Sequence, residues 1–354
     1  MLIKNLMQFL TTSLKLSIIL PTIVFLCSCF ETKTSKAPIQ LNGQTMGTSY
    51  NITIIDNPQD LSASRLKHLV ENELAAINNQ MSNWNSNSEI TLINKNSSDK
   101  VIPISQQLLE VLTAANEIHD KSDGSFDITS APIINLWGFG PNNANKTVPS
   151  QKEIDKALNL VGQADLIRIT NNPSTLVKQK KGVLINLSAI AKGYGIDRVA
   201  SLLEMYDIKR FLVEIGGDLI ASGTNRHGKP WSIGIEFPNY ERRTVQSIVK
   251  VDDLAMATSG NYKNFFKKDG IQYSHIIDPK TGSPIQHNTV SVTVLTKSAM
   301  FADGWATAML AMGIENGMRM ANKYGIAVFF ITNDDKTFIT GSSDAFKALS
   351  QGKF

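Results

Sequence analysis

Runs of alternating and helix-spaced apolar residues divide the chain into elements. Tyr50 to Ile55 alternates polar and apolar side chains, the period of a half-buried strand. Leu66, Leu69, Val70, Leu74, Ile77 and Met81 fall on one helical face, with Ser62 or Ser64 placed to cap it. Leu108, Val111, Leu112, Ala115 and Ile118 predict a second amphipathic helix from Gln106 to His119, which Asp123-Gly124 ends. Trp137 to Asn145 is rich in Gly, Pro and Asn and predicts a loop.

Further on, Val183 to Leu187 is a short apolar run ahead of a helix predicted from about Ala189 to Tyr206. Strands are predicted at Phe211–Ile215, Trp231–Glu236, Thr244–Val251, Val290–Leu295 and Ile326–Thr332, and a helix at Ala299–Met312. Gly216-Gly217-Asp218 reads as a turn into Leu219–Ala221. Helices and strands both occur, but without a steady βαβ rhythm. The expected class is α+β, with mainly antiparallel sheets and packed helices, rather than a doubly wound parallel sheet. No second linker and no internal repeat is visible, so residues 40–354 are read as one domain, long enough for two lobes.

The first residues change this picture. Lys4 and Lys15 precede and flank an apolar run from Leu16 to Leu26 that only Ser17, Pro21 and Thr22 interrupt. A membrane-crossing helix needs roughly 20 apolar residues, and this run has the length and flanks of a cleaved signal. It ends in Leu26-Cys27-Ser28-Cys29, where a small residue directly before Cys29 and a leucine two positions further back look like a bacterial lipobox. Residues 1–28 are therefore expected to be a lipoprotein signal peptide, and residues 29–39 a lipidated cysteine, Cys29, with a polar tether. An ordinary secretory signal is the alternative. Several acyl chains on Cys29 would hold the domain at a membrane of the bacterial cell envelope, on the periplasmic side of the inner or outer membrane.

Both cysteines lie in this segment, which leaves the domain no thiol for a disulfide, a thiolate metal site or a nucleophile. Removing its two lysines takes the formal charge from +4 to about +2, too little for a field that attracts nucleic acid.

The candidate chemistry is oxygen-rich. There is no Gly-x-Ser-x-Gly elbow, no His-Glu-x-x-His and no Walker A motif, and the five histidines are scattered. Asp303 and Thr307 are four apart on a predicted helix and share a face, as two ligands of one hard cation would. Spacing alone favours the plainer role of satisfying local backbone groups. Lys192 sits one turn into a predicted helix whose N-terminus suits a pyrophosphate, although a solvated lysine fits the spacing as well. Gly216-Gly217 fits a plain hairpin turn or a close approach to ligand, with Asp218 ordering it. Thr258-Ser259-Gly260 taken alone is a turn, and Asp278-Pro279 followed by Thr281-Gly282 is turn chemistry too.

Seven segments occur in a fixed order: Met46-Gly-Thr-Ser-Tyr50, Gly124-Ser-Phe-Asp127, Ser188-Ala-Ile-Ala-Lys-Gly193, Gly216-Gly-Asp218, Ala257-Thr-Ser-Gly260, His275-Ile-Ile-Asp-Pro279 and Ala302-Asp303 with Thr307. Together they resemble the ApbE family of FAD:protein FMN transferases. The resemblance runs from about Gln40 to Ser350 and implies Mg²⁺-dependent transfer of FMN from FAD to a Thr or Ser hydroxyl of a partner protein, with release of AMP. It implies metal ligation by Ala189 (through its carbonyl), Asp303 and Thr307. It implies flavin nucleotide contacts at Met46, Trp84, Ser125, Phe126, Asp127, Asn186, Lys192, His275 and Ile276, with His275 and Asp303 as catalytic residues. Asn186 stands where many relatives carry Asp, which removes a charge from that contact. The implied acceptors are FMN-bearing subunits of membrane redox complexes, of the Na⁺-translocating quinone reductase or Rnf type. A Mg²⁺-dependent FAD pyrophosphatase and a non-catalytic flavin-binding lipoprotein are the competing expectations.

Overall fold

The computed structural model describes residues 37–96, 99–141, 146–238, 244–334 and 337–351. The predicted signal peptide and Cys29 lie outside the described residues. Among those described, no helix is long and apolar enough to cross a membrane.

The centre is an eight-stranded sheet with the order Ile39–Thr45, Thr48–Ile54, Phe211–Ile215, Asp218–Ser222, Leu254–Gly260, Thr289–Thr296, Ala327–Asp334, Thr337–Ser342. Every neighbouring pair is antiparallel. Spatial order follows chain order, so the sheet is a meander. Residues 55–210, a mostly helical block, are inserted between its second and third strands. This insertion explains why no βαβ rhythm shows in the sequence, and the α+β expectation holds.

Both faces of the sheet's central strands are covered. Val328 and Phe330 face a core shared with the helices Ala63–Met81, Gln106–Lys121, Ala191–Met205 and Ala299–Tyr324. Ala327, Phe329 and Ile331 face a second core with Trp231, Val251 and Phe346, closed by the hairpin Trp231–Glu236/Val245–Val251 and the helix Asp344–Ser350. Period-two side chains buried on both sides produce the unbroken apolar run that ends at Thr332.

Several boundaries differ from expectation for local reasons. The helix predicted to end at Met312 does break there, because Gly313 takes φ 72° and ψ 173°, but helical geometry resumes and continues to Tyr324. Gly325, at φ 66°, then ends it in the left-handed conformation. The predicted loop at Trp137–Asn145 begins on a short helix, Ala131–Leu136, whose C-cap is Trp137. Trp137 is buried, and its Nε1–H donates to the Gly282 carbonyl at 2.8 Å. It stacks on Tyr273 at 5.3 Å within a small third core under the hairpin Phe265–Lys268/Ile271–Ser274. Residues 142–145 lie outside the described set. Thr258-Ser259-Gly260, which alone reads as a turn, is the end of a central strand.

The run Val183–Leu187 buries Val183, Ile185 and Leu187 but pairs with no strand. Side-chain amides stand in for the missing neighbour. Asn83 and Asn94 bond the main chain of Ile185 and Leu187 at 2.7–3.0 Å. A turn at 188–190 follows, and the helix Ala191–Met205 begins.

Candidate functional site

The helix that carries Lys192 crosses the helix that carries Asp303 at unusually close range. Gly193 permits this, since a Cβ there would run into the Ala299 carbonyl. The Gly193 amide donates to Asp303 Oδ2 at 2.9 Å. Asp197, one turn later, accepts from Ser298 Oγ at 2.6 Å, Ala299 N at 2.7 Å and Met300 N at 2.9 Å, and so caps the Asp303 helix. Burial is the largest influence on the Asp197 carboxyl and raises its pKa against these bonds.

The crossing presents a charged cluster. Lys192 Nζ contacts Asp218 Oδ2 directly and lies 3.7 Å from Asp303 Oδ1. The Asp218 and Asp303 side chains are only 3% and 7% exposed, while Lys192 keeps 26%. Asp218 Oδ1 accepts from Thr258 N at 3.0 Å, which ties the Gly216-Gly217 turn to the next strand. Two carboxylates thus face one ammonium in this cluster.

Lys192 and Asp303 of this cluster line a cavity of about 400 Å³. Of the residues singled out in the sequence, Ser125, Phe126, Asp127, Asn186, Ala189, Lys192, His275, Ile276, Asp303 and Thr307 all line it. A second cavity of about 540 Å³ is lined by Met46 and Trp84 and shares Ser188 and Lys192 with the first. Trp84 is 70% exposed at this second cavity, so it is not a core residue. Met46 holds a positive φ of 49° in the turn between the first two strands, and its side chain reaches back over Gly195.

Individual side chains differ in what they have free. Asp127 spends its carboxylate on the protein, accepting from Thr129 N at 2.7 Å, Gln163 N at 3.0 Å and the Thr129 hydroxyl. Asn186 Oδ1 accepts from Ser188 N at 2.8 Å, shaping the turn ahead of Ala189. Thr307 Oγ1 lies 3.2 Å from Ser259 Oγ. His275 Nδ1 lies 3.0 Å from the Asn264 carbonyl oxygen and is the donor when the ring is neutral, which leaves Nε2 unprotonated. Burial pushes the His275 pKa below the usual histidine range and outweighs the opposing effect of that bond.

Sequence reasoning did not foresee the Asp218 contact with Lys192 and missed Asp197, Phe139, Lys263 and Asn264. The last three line the first cavity with His275. Lys263 and Asn264 directly follow the Thr-Ser-Gly-Asn-Tyr run, and polar residues continuing past a Gly would have been the signal. Asp197 carried none, because its partners are 101 to 103 residues away.

The model of the ApbE family matches residues 46–330, which include every cavity residue named above. The chain belongs to the ApbE family. A curated ApbE relative, the FAD:protein FMN transferase of Vibrio cholerae, is 41% identical over 87% of this chain and 92% of its own length. The enzyme of the same name from Haemophilus influenzae is 37% identical over 89% and 92%. Among solved structures, the flavin transferase ApbE from Vibrio cholerae superposes with a TM-score of 0.82 at 40% identity, covering 88% of this chain and 99% of that one. The apo form of Pseudomonas stutzeri flavinyl transferase ApbE gives 0.81 at 34% identity, over 88% and 96%.

Proposed function

We propose that this protein transfers FMN from FAD to a Ser or Thr hydroxyl of an acceptor protein and releases AMP. The observation that carries the reading is the pair of adjoining cavities that share Ser188 and Lys192. A dinucleotide has two bulky ends and a charged middle, and the shared ammonium suits the pyrophosphate. In the reaction, the acceptor oxygen bonds the FMN phosphorus. The bond from that phosphorus to the bridging oxygen breaks, and the oxygen leaves with AMP. The hydroxyl proton passes to His275 Nε2. Lys192 offsets charge on the phosphates. Trp84, at the second cavity, offers a face to an aromatic ring of the substrate.

The oxygen donors lining the first cavity fit a hard cation. Among the described residues no group of three or more His, Cys, Asp or Glu gathers as a metal cage. One carboxylate, one hydroxyl and one carbonyl suit Mg²⁺ completed by phosphate oxygens. Asp303, Thr307 and the Ala189 carbonyl would hold it. The ion would supply charge neutralisation at the pyrophosphate.

The lipobox-like Leu26-Cys27-Ser28-Cys29 supports attachment through Cys29 to a membrane of the cell envelope, facing the periplasm. That placement supports acceptors of the Na⁺-translocating quinone reductase or Rnf type. The test is incubation with FAD, MgCl₂ and such a subunit, following the acceptor by intact mass and nucleotides by chromatography. An FMN adduct with matching AMP is expected. AMP and free FMN without adduct mark a pyrophosphatase, and intact bound FAD marks a carrier.

A further inference from the structure

The turn that delivers Ser188, Ala189 and Lys192 to the two cavities has no strand beside it. Its upstream arm, Ile185–Leu187, is instead gripped by two asparagines from another part of the chain. Asn83 donates through Nδ2 to the Ile185 carbonyl at 2.7 Å and accepts from Leu187 N at 3.0 Å. Asn94 donates to the same carbonyl at 2.9 Å and accepts from Ile185 N at 2.8 Å. Four bonds from two carboxamides thus reproduce what a neighbouring strand would give. The opposite side is held by Asn186 N, which donates to the Ile128 carbonyl at 2.7 Å.

The asparagines are themselves braced. Asn94 lies on the short helix Glu89–Lys95, whose N-cap Ser88 donates to the Ser82 carbonyl at 2.6 Å. At the other end of that helix, Lys178 is only 1% exposed, and its ammonium donates to the Ile93 and Asn94 carbonyls at 2.9 and 3.2 Å. Asn83 directly precedes Trp84 and lines the second cavity.

We propose that Asn83 and Asn94 are positioning residues for flavin transfer, setting Ile185–Leu187 in place of a missing strand and so fixing Asn186, Ala189 and Lys192 in the cavities. The inference rests on the transferase reading. Any loss of the clamp lets the turn slide, and Lys192 then leaves its place against Asp218.

Asn→Asp changes give a specific test. The acid keeps the acceptor but replaces the donor with a charge aimed at the Ile185 carbonyl. Protonation restores a donor. Charged groups at these positions are Lys178, whose ammonium bonds the Asn94 carbonyl, and Lys192, which lines the same cavity as Asn83. FAD affinity is read by flavin fluorescence on the whole protein, well below the melting midpoint, beside turnover with an acceptor. N83D and N94D are expected to weaken FAD binding about tenfold at about pH 8, the loss of a buried donor with added repulsion. The deficit should shrink as pH falls toward about 5, nearer the carboxyl range. Asn83 borders an open cavity, so Asn83→Ala provides a folded variant if an acid prevents folding. Folded variants with parental FAD affinity and turnover would overturn the proposal. A deficit that pH leaves unchanged would overturn the hydrogen-bonding account. A parent protein that neither binds nor cleaves FAD would overturn the transferase reading and this inference with it.

Discussion

The Gly193 amide donates to Asp303 Oδ2 at 2.9 Å, and this bond joins the helix that carries Lys192 to the helix that carries the candidate cation ligand. It exists because Gly193 lies flat against the Ala299 carbonyl. Gly193→Ala should therefore push the helices apart. Overpacking of this kind costs about 1–3 kcal/mol. Denaturant melts should register that loss, and FAD turnover should fall further than the folded fraction accounts for. Parental stability would show that the crossing has slack.

Asp303→Ala removes the only carboxylate of the proposed cation set and leaves Lys192 to Asp218 alone. Loss of a positioned electrostatic group typically costs about 10²–10³ in turnover. AMP release from FAD should drop by that order. Added MgCl₂ should protect the parent against thermal unfolding in the presence of FAD, and this protection should vanish in the variant. EDTA should abolish it in the parent. Protection that survives Asp303→Ala would move the cation elsewhere.

How much of this could be read from the chain depended on the reach of each interaction. The helix Ala63–Met81 and the strands Phe211–Ile215 and Trp231–Glu236 were legible because their signals are local periods. The cavity residues were legible only as a set of short ordered segments that resemble a family, since each is a bare turn by itself. Asp197 and the Asn83 and Asn94 clamp were silent, because their partners lie roughly a hundred residues off. Trp84 shows the opposite limit. Composition favours tryptophan in the core as readily as at a ligand, and only its 70% exposure separates the two.

The protonation of His275 should govern the acid side of the rate profile. Burial lowers its pKa, so the ring stays neutral to lower pH than an ordinary histidine and Nε2 remains a base there. Transfer should hold as pH falls past about 6.5 and decline only at lower pH. Stability follows the same sign. Between the lowered folded pKa and the unfolded value the unfolded chain binds more protons, so stability rises with pH in that window and is lost on acidification. His275→Gln should cut turnover about 10²-fold or more, the usual range for a lost general base, and reduce the acid slope of the melting profile. Full turnover in His275→Gln would assign the proton to another group.

Trp84 offers the cleanest separation of binding from folding. Its ring is largely in solvent, so Trp84→Ala should change stability by no more than about 0.5 kcal/mol, as for other exposed positions. If the indole stacks on a ring of FAD, the variant loses about 0.5–1.5 kcal/mol of binding, or about two- to twelvefold in Kd. Trp84→Phe should recover most of it, because a smaller face still stacks. Flavin fluorescence titration measures each step without an acceptor or turnover. An unchanged Kd in Trp84→Ala would show that the second cavity does not hold a stacked ring of the substrate, and the nucleotide would then have to lie wholly in the first.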